Sequence, residues 1–137
     1  MATTLEAEFL VLCDQAIISK EGKLSIIGIF NQIFVRRLPT RFSQMFIVTV
    51  FSGSPGKDYS LILEIKNSQN KVVEKRSVKL KLGANGKANF IAHIHGLPIE
   101  SVGNFSLSFK KDSRKIISKQ LQIIQVKPSA NQSTLPN

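Results

Sequence analysis

Two apolar runs joined by a short polar turn dominate the beginning of this sequence. The first run covers Glu8–Asp14 and the second Gly22–Phe30, and both are rich in Ile, Leu, Val and Phe. These residue types favour strands because branched and aromatic side chains pack well on a pleated surface. Between the runs, Ser19–Gly22 supplies the polar and glycine residues that reverse a chain. The pattern predicts two paired strands, which form a scaffold and not a chemical site.

Alternation of apolar and polar residues continues through the middle of the chain. It is clearest in segments 58–66, 78–82, 90–95 and 105–110, where apolar residues recur at every second position. A strand with one face on a core and one face in solvent gives this pattern. Short polar links such as Gly83–Gly86 separate the segments at lengths that suit hairpins.

The apolar runs follow one another at the spacing typical of a β-sandwich. They cover residues 8–14, 23–35, 43–51, 58–66, 71–82, 87–95, 103–111 and 114–126. The sequence therefore predicts an all-β, antiparallel two-sheet sandwich of about eight strands with an immunoglobulin-like architecture. In the second run the apolar parity switches at Gly28, which we interpret as a β-bulge or a strand that passes between sheets.

The length of the chain fits one domain. Its 137 residues lie in the usual single-domain range, so we expect residues 1–127 to form a single β-sandwich domain. Segment 128–137 has little to bury and is predicted to be a disordered tail. Cys13 has no partner, and no apolar run is long enough to span a membrane. The expected location is a reducing cytoplasm.

Several strings of this sequence resemble a family of small bacterial proteins. In chain order they are Leu12–Asp14, Gly22–Phe30, Leu38–Pro39 and Gly103–Leu107. This order resembles the DUF6941 family, a domain of unknown function, and the resemblance covers nearly the whole chain apart from the tail. It implies a small bacterial β-sandwich located in the cytoplasm. It implies no activity, cofactor or catalytic residue.

Motifs for enzyme chemistry are absent from the sequence. It contains no phosphate-binding glycine loop, no Gly-X-Ser-X-Gly elbow, no His-Glu-X-X-His pair and no spaced cysteines. We therefore predict no catalytic, cofactor-binding or metal-binding residue. Cys13 lies in an apolar run, where a thiol usually packs as a small hydrophobic group and is not a nucleophile. Asp14 is predicted to end its strand and to hold a turn by accepting hydrogen bonds from nearby backbone N–H groups.

Two histidines, His93 and His95, are separated by one residue, so a strand would direct both side chains to one face. That spacing can hold a divalent metal when a third ligand approaches, but no Cys or acidic residue lies beside them between Asn89 and Gly96. Exposed histidines on a solvated face are the simpler interpretation. Such a face would titrate near neutral pH.

Positive charge is the strongest bias in the composition. The chain has 19 Lys and Arg against 9 Asp and Glu, which gives a net charge of +10. Strand parity predicts that Lys75, Lys79 and Lys81 share one exposed face, and such a surface attracts polyanions. The candidate polyanion-binding residues are Lys75, Lys79, Lys81, Lys110, Lys111, Arg114 and Lys115.

These basic residues also have a simpler explanation, because lysines on exposed strands protect a sheet from aggregation. Proteins that bind single strands require aromatic residues interleaved with basic ones. This sequence has no Trp and no such interleaving. We therefore expect a non-enzymatic β-sandwich that binds or assembles with another protein through loops or a strand edge. A basic nucleic-acid or polyanion-binding protein is the alternative, and an enzyme is the third hypothesis. Self-association through edge strands stays open.

Overall fold

A computed structural model describes residues 4–127 of the chain, which form nine β-strands and no helix over that range. The strands are β1 (Glu6–Ile18), β2 (Leu24–Phe30), β3 (Gln32–Val35), β4 (Thr40–Ser52), β5 (Asp58–Lys66), β6 (Val72–Lys81), β7 (Lys87–Ile99), β8 (Gly103–Lys111) and β9 (Arg114–Gln125). The predicted all-β class is confirmed. Residues 4–127 contain no helix that could cross a membrane. The predicted tail, 128–137, lies outside the described residues.

The strands form two sheets that face each other. The four-stranded sheet has the order β2-β1-β4-β7, and the five-stranded sheet has the order β3-β9-β8-β5-β6. The pairing of β3 with β9 is parallel, and the other pairings between described strands are antiparallel. The predicted two-sheet sandwich is confirmed, with nine strands instead of about eight and with one parallel pair.

The second apolar run of the sequence accounts for the additional strand. Its first part, β2, pairs with β1 in one sheet, whereas its second part, β3, pairs with β9 in the other sheet. The predicted passage between sheets is therefore present, but it occurs at Asn31 and not at Gly28. The β1–β2 register runs past Gly28 without a shift, so the alternative of a β-bulge there is wrong.

The hairpin that joins β1 and β2 differs from the prediction in one respect. The turn lies where the sequence places it, with the Ser19 N–H donating to the Lys23 carbonyl over 2.8 Å. However, β1 continues to Ile18, so Asp14 does not end a strand or bond a turn. Asp14 lies across from Gly28, which has a φ of +72°, and its carboxyl occupies the space that a side chain on Gly28 would need.

One apolar core fills the space between the sheets and joins them. Phe51, Phe105 and Phe109 are its largest fully buried side chains, and the rings of Phe51 and Phe109 meet edge to face at 5.3 Å. Full burial of such a side chain contributes about 1.5–3 kcal/mol to folding. Because the core occupies the inner faces, each sheet presents one outer face, and the two outer faces point in opposite directions.

Candidate functional site

The outer face of the four-stranded sheet carries no charged side chain where β1, β4 and β7 pair across it. We call this surface the neutral face. Strand register and alternation assign to it Phe9, Val11, Cys13, Gln15, Ile17, Ser25, Ile27, Ile29, Gln44, Phe46, Val48, Val50, Asn89, Ile91, His93 and His95. Charged residues begin only at its ends, for example at the ion pair between Glu8 and Lys87, whose nitrogen and oxygen are 2.8 Å apart.

The neutral face has a continuous apolar layer at its centre. Cys13 and Val48 have no solvent-exposed surface, although neither belongs to the core between the sheets. Val48 is paired with Val11 on one side and with Ile91 on the other. Cys13 is paired in the same way with Phe46 and Ile29. Neighbouring side chains on the same face therefore bury these two residues, as they would in a small second core.

The apolar layer is open to solvent at the β2 edge of the sheet. Ile27 is 57% exposed and Ile29 is 61% exposed, and Ile17 on the neighbouring strand is 56% exposed. Among the described strands β2 pairs only with β1, so within residues 4–127 no strand pairs with its other edge. Clusters of exposed apolar side chains on soluble proteins commonly mark sites of protein interaction.

His93 and His95 share one face, as predicted, and that face is the neutral face, where their ring centroids are 3.8 Å apart. The His93 ring also stacks on Phe46 at 4.3 Å, and its Nε2 is 3.0 Å from the Gln44 side-chain oxygen. Burial lowers the pKa of His93 below its ordinary value, and the nearby His95 and Arg76 lower it further. Within residues 4–127, no group of three His, Cys, Asp or Glu side chains is placed to hold a metal ion.

The Cys13 thiol is enclosed within the neutral face. Burial raises the pKa of Cys13 above its ordinary value, the Asp14 carboxylate raises it further, and a hydrogen bond with the Gln15 backbone lowers it in part. A thiol with a raised pKa has little thiolate at neutral pH and is a poor nucleophile. The enclosed Cys13 thiol is therefore suited to packing.

The outer face of the five-stranded sheet is polar and basic, and we call it the basic face. Across β5 and β6, Lys75 is paired with Glu64, Ser77 with Ile62 and Lys79 with Ser60. The side chains of Lys75, Ser77, Lys79 and Lys81 are all exposed, and the alternating residues Val78 and Leu80 are buried. The predicted parity of the three lysines is confirmed.

A hollow of about 560 Å³ lies on the basic face between β6, β5 and the end of β8. We call it the basic groove. Its lining includes Ser60, Ile62, Lys75, Ser77, Lys79 and Lys110. Ser60 on β5 and Ser77 on β6 have short side chains that leave space between the longer lysines.

Glu64 is a buried acid in the lining of the groove, and it is paired with lysines. Its Oε1 lies 3.0 Å from Lys110 Nζ and 3.7 Å from Lys66 Nζ. The hydrogen bond from Lys110 lowers the pKa of Glu64 below its ordinary value, although burial opposes this effect. Glu64 is therefore ionised at neutral pH. Lys75 and Lys79 form no ion pair with any residue that the structure describes.

The predicted polyanion-binding residues do not all lie together. Lys75, Lys79 and Lys110 line the basic groove, and Lys81 continues the same row at the end of β6. Lys111 forms an ion pair with Asp112 at 3.2 Å. Arg114 and Lys115 line a separate hollow against the first residues of β1, although Lys115 is paired in register with Lys110.

Reasoning from the sequence missed the neutral face. A signal was present, because the run Phe46–Phe51 and the run Phe9–Cys13 are apolar at both parities. A strand of a two-sheet sandwich needs only one apolar face. Apolar residues at both parities therefore indicate a second face that excludes water, which the register of β1 and β4 assembles here.

Comparison with known proteins gives a family and a fold. The model of a family of unknown function, DUF6941, matches residues 8–124. No curated protein matches the chain. An immunoglobulin-like protein from Pseudomonas aeruginosa aligns over 88% of this chain and 96% of its own, with 14% identity and a TM-score of 0.49.

A second similar structure belongs to a much longer chain. A β-glucosidase from Listeria innocua in complex with glucose aligns over 93% of this chain but 17% of its own, with 6% identity and a TM-score of 0.54. Its complex with isofagomine aligns over 91% and 16%, with 7% identity and a TM-score of 0.52. At these identities the likeness concerns the fold alone, and the strands of this chain form the two-sheet β-sandwich that the sequence predicts.

Proposed function

Because the chain belongs to the DUF6941 family, whose function is unknown, we propose a function from the chemistry of its own surfaces. We propose that it is a non-enzymatic assembly module that binds protein on the neutral face, and that the occupant of this face is a second copy of the chain. The observation that carries the proposal is the uncharged apolar layer on a chain with a net charge of +10.

The apolar layer favours association because exposed apolar surface is unfavourable in water. Each square ångström of it that a partner covers contributes about 25 cal/mol. Ile27 and Ile29 are more than half exposed, and they adjoin Cys13 and Val48 through a layer that already excludes water. A partner that covers this layer extends an existing apolar cluster and does not have to create one.

The distribution of charge supports a second copy as the partner. Two neutral faces brought together place no charged side chains in contact, whereas an acidic foreign partner would be attracted to the basic face. Successive sheets in such a pair lie about 10 Å apart, so the two basic faces would be about 30 Å apart. That distance exceeds the Debye length of about 8 Å at physiological salt, so their repulsion is screened.

The symmetry of the contact is also favourable. A patch that pairs with itself around a two-fold axis is the commonest arrangement in soluble oligomers, and permanent homodimer interfaces are more apolar than transient ones. The His93 ring, stacked on Phe46 within the layer, is favoured in its neutral form because burial lowers its pKa.

We place this module in a bacterial cytoplasm. The buried thiol of Cys13 supports a reducing compartment, since a single unpaired cysteine is at little risk of oxidation there. Its raised pKa also supports a role outside catalysis, because it leaves the thiol weakly nucleophilic at neutral pH.

Sedimentation or light scattering over about 1–100 μM protein tests the proposal, a range that covers micromolar affinities. We expect a dimer in the wild type and a monomer in Ile29→Lys, because the substitution places a charge on the neutral face at a position that is 61% exposed. The matched control is Val102→Lys, which also replaces an exposed apolar residue, 44% exposed, between β7 and β8. A wild type that is monomeric throughout, or a dimer that Ile29→Lys leaves intact, would contradict it.

A further inference from the structure

We propose that the basic groove binds the phosphodiester backbone of a nucleic acid and does not read its bases. This site is on the sheet opposite the neutral face, so it is independent of the assembly function. It rests on unpaired lysines, free hydroxyl groups and the absence of aromatic side chains at one hollow of about 560 Å³.

The lysines form a row along the edge strand of the sheet. Lys75, Lys79 and Lys81 share one face of β6, and none forms an ion pair with another described residue. At about 3.3 Å per residue, the row is about 20 Å long. A nucleic-acid strand in a duplex presents one phosphate per about 3.4 Å of its axis. The row therefore suits a repeating anion better than a single one.

The acidic residues at the groove do not cancel this charge. Glu64 is held by Lys110 and Lys66 at 3.0 and 3.7 Å, and Asp112 is held by Lys111 at 3.2 Å. The two acids that line the groove thus each have a lysine partner, and Asp58, which is opposite Lys81 in the register, lies outside the groove. The ammonium groups of Lys75 and Lys79 remain available to an external anion.

Hydroxyl groups lie between the available lysines. Ser60 is paired with Lys79, and Ser77 lies between Lys75 and Lys79 along β6. Neither hydroxyl has a hydrogen-bond partner among the side chains that the structure describes. Serine hydroxyls commonly donate to phosphate oxygens, and their small size creates the space in which a phosphate fits beside the ammonium groups.

The lining of the groove favours phosphates over bases and over carboxylates. No aromatic side chain lines it, so stacked bases have no platform. Each of its cations is a lysine, Lys75, Lys79 or Lys110, and none is an arginine. Lysine binds phosphate as a compact point charge, whereas the planar fork of arginine is the group that matches a carboxylate in two hydrogen bonds.

Fluorescence anisotropy with a labelled 20-base-pair mixed-sequence DNA, and with its single strand, tests the site at about 50 and 200 mM salt. Three phosphate contacts, one from each of Lys75, Lys79 and Lys81, predict a slope near −2.7 in log affinity against log salt. For the duplex this is a loss of about 40-fold in affinity over that range. For Lys75→Gln/Lys79→Gln we expect weaker binding at 50 mM and a slope near −0.9, a loss of about 3- to 4-fold. Folding of the variant is checked by its melting temperature, since exposed lysines contribute little to stability.

The control variant is Lys20→Gln/Lys23→Gln, which removes the same charge at the turn of the β1–β2 hairpin. Its slope is expected to equal that of the wild type. Equal losses in the two variants would indicate attraction to net charge and would overturn the proposal. So would an absence of DNA binding at 50 mM salt. Labelled poly-glutamate bound as tightly as DNA, with the same dependence on Lys75 and Lys79, would assign the groove to acidic proteins and also overturn it.

Discussion

Along the β1–β2 hairpin, Gly28 is the glycine at which an added side chain is least tolerated. Its φ of +72° disfavours any side chain, and the Asp14 carboxyl occupies the place of its missing Cβ. We expect Gly28→Ala to lower the free energy of unfolding by about 1–3 kcal/mol, from backbone strain and from the collision. Urea denaturation monitored by circular dichroism measures this loss.

A matched glycine separates the two causes of that loss. Gly22 also has a positive φ, +83°, but an added Cβ would meet nothing within 4 Å. Gly22→Ala is therefore expected to show the backbone strain alone and to be milder than Gly28→Ala. Equal losses in the two variants would mean that Asp14 moves aside freely.

His93 predicts a pH dependence of stability near neutrality. Its pKa in the folded protein is lowered from 6.5 because burial, His95 and Arg76 disfavour the charged ring, and the uncharged groups packed on it, Phe46 and Gln44, do not offset this. The unfolded chain thus binds the proton more readily, so the free energy of unfolding falls as pH drops through the ordinary pKa and levels off below the lowered pKa.

Melting temperatures at several pH values between about 5 and 8 measure this effect, a range that brackets the ordinary pKa of histidine. His93→Gln is expected to flatten the dependence in that range. Loss of stability linked to Glu64, whose pKa is lowered from 4.5, is expected only at more acidic pH and to persist in the variant. A wild-type curve that rises on acidification from neutral pH would contradict the prediction.

Among the strands, the contact between β5 and β8 contains the best enclosed ion pair. The side chains of Glu64 and Lys110 are 10% and 24% exposed, and 3.0 Å separates their charged atoms. Lys110→Gln is expected to lower the free energy of unfolding by about 1–2 kcal/mol, because a buried carboxylate loses a charge-assisted hydrogen bond. The loss is expected to be largest at neutral pH and smaller in acid, where Glu64 is protonated.

The neighbouring residue supplies the control for this pair. Lys111 bonds Asp112 at 3.2 Å, but the Asp112 side chain is 87% exposed. Pairs in solvent contribute about 0–1 kcal/mol, so Lys111→Gln is expected to be nearly neutral in urea denaturation. A similar loss in both variants would show that burial of Glu64 does not strengthen its ion pair.

For the whole molecule, the two proposed surfaces predict opposite responses to salt. The neutral face has no charged side chains, so the proposed dimer should persist or strengthen between about 50 and 500 mM salt, because added salt screens repulsion between basic faces. Nucleic-acid binding at the basic groove should weaken steeply over the same range. Sedimentation and anisotropy on one preparation measure both. A dimer that dissociates as salt increases would indicate an ionic interface elsewhere.

The sequence by itself determined the properties that depend on alternation within one strand. The all-β class, the turn at Ser19–Gly22 and the common face of Lys75, Lys79 and Lys81 were all predicted and are present. They follow from local chemistry, because side chains two residues apart on a strand point the same way whatever the strand pairs with. Turn residues likewise act on their own backbone.

Only the tertiary structure decided which strands lie side by side. It divided the second apolar run between two sheets at Asn31, continued β1 past Asp14, and separated Arg114 from the basic groove. It also assembled the neutral face from strands far apart in the chain. Alternation shows which residues of a strand share a face, but not which strands adjoin it or what covers it, because those depend on long-range pairing and packing.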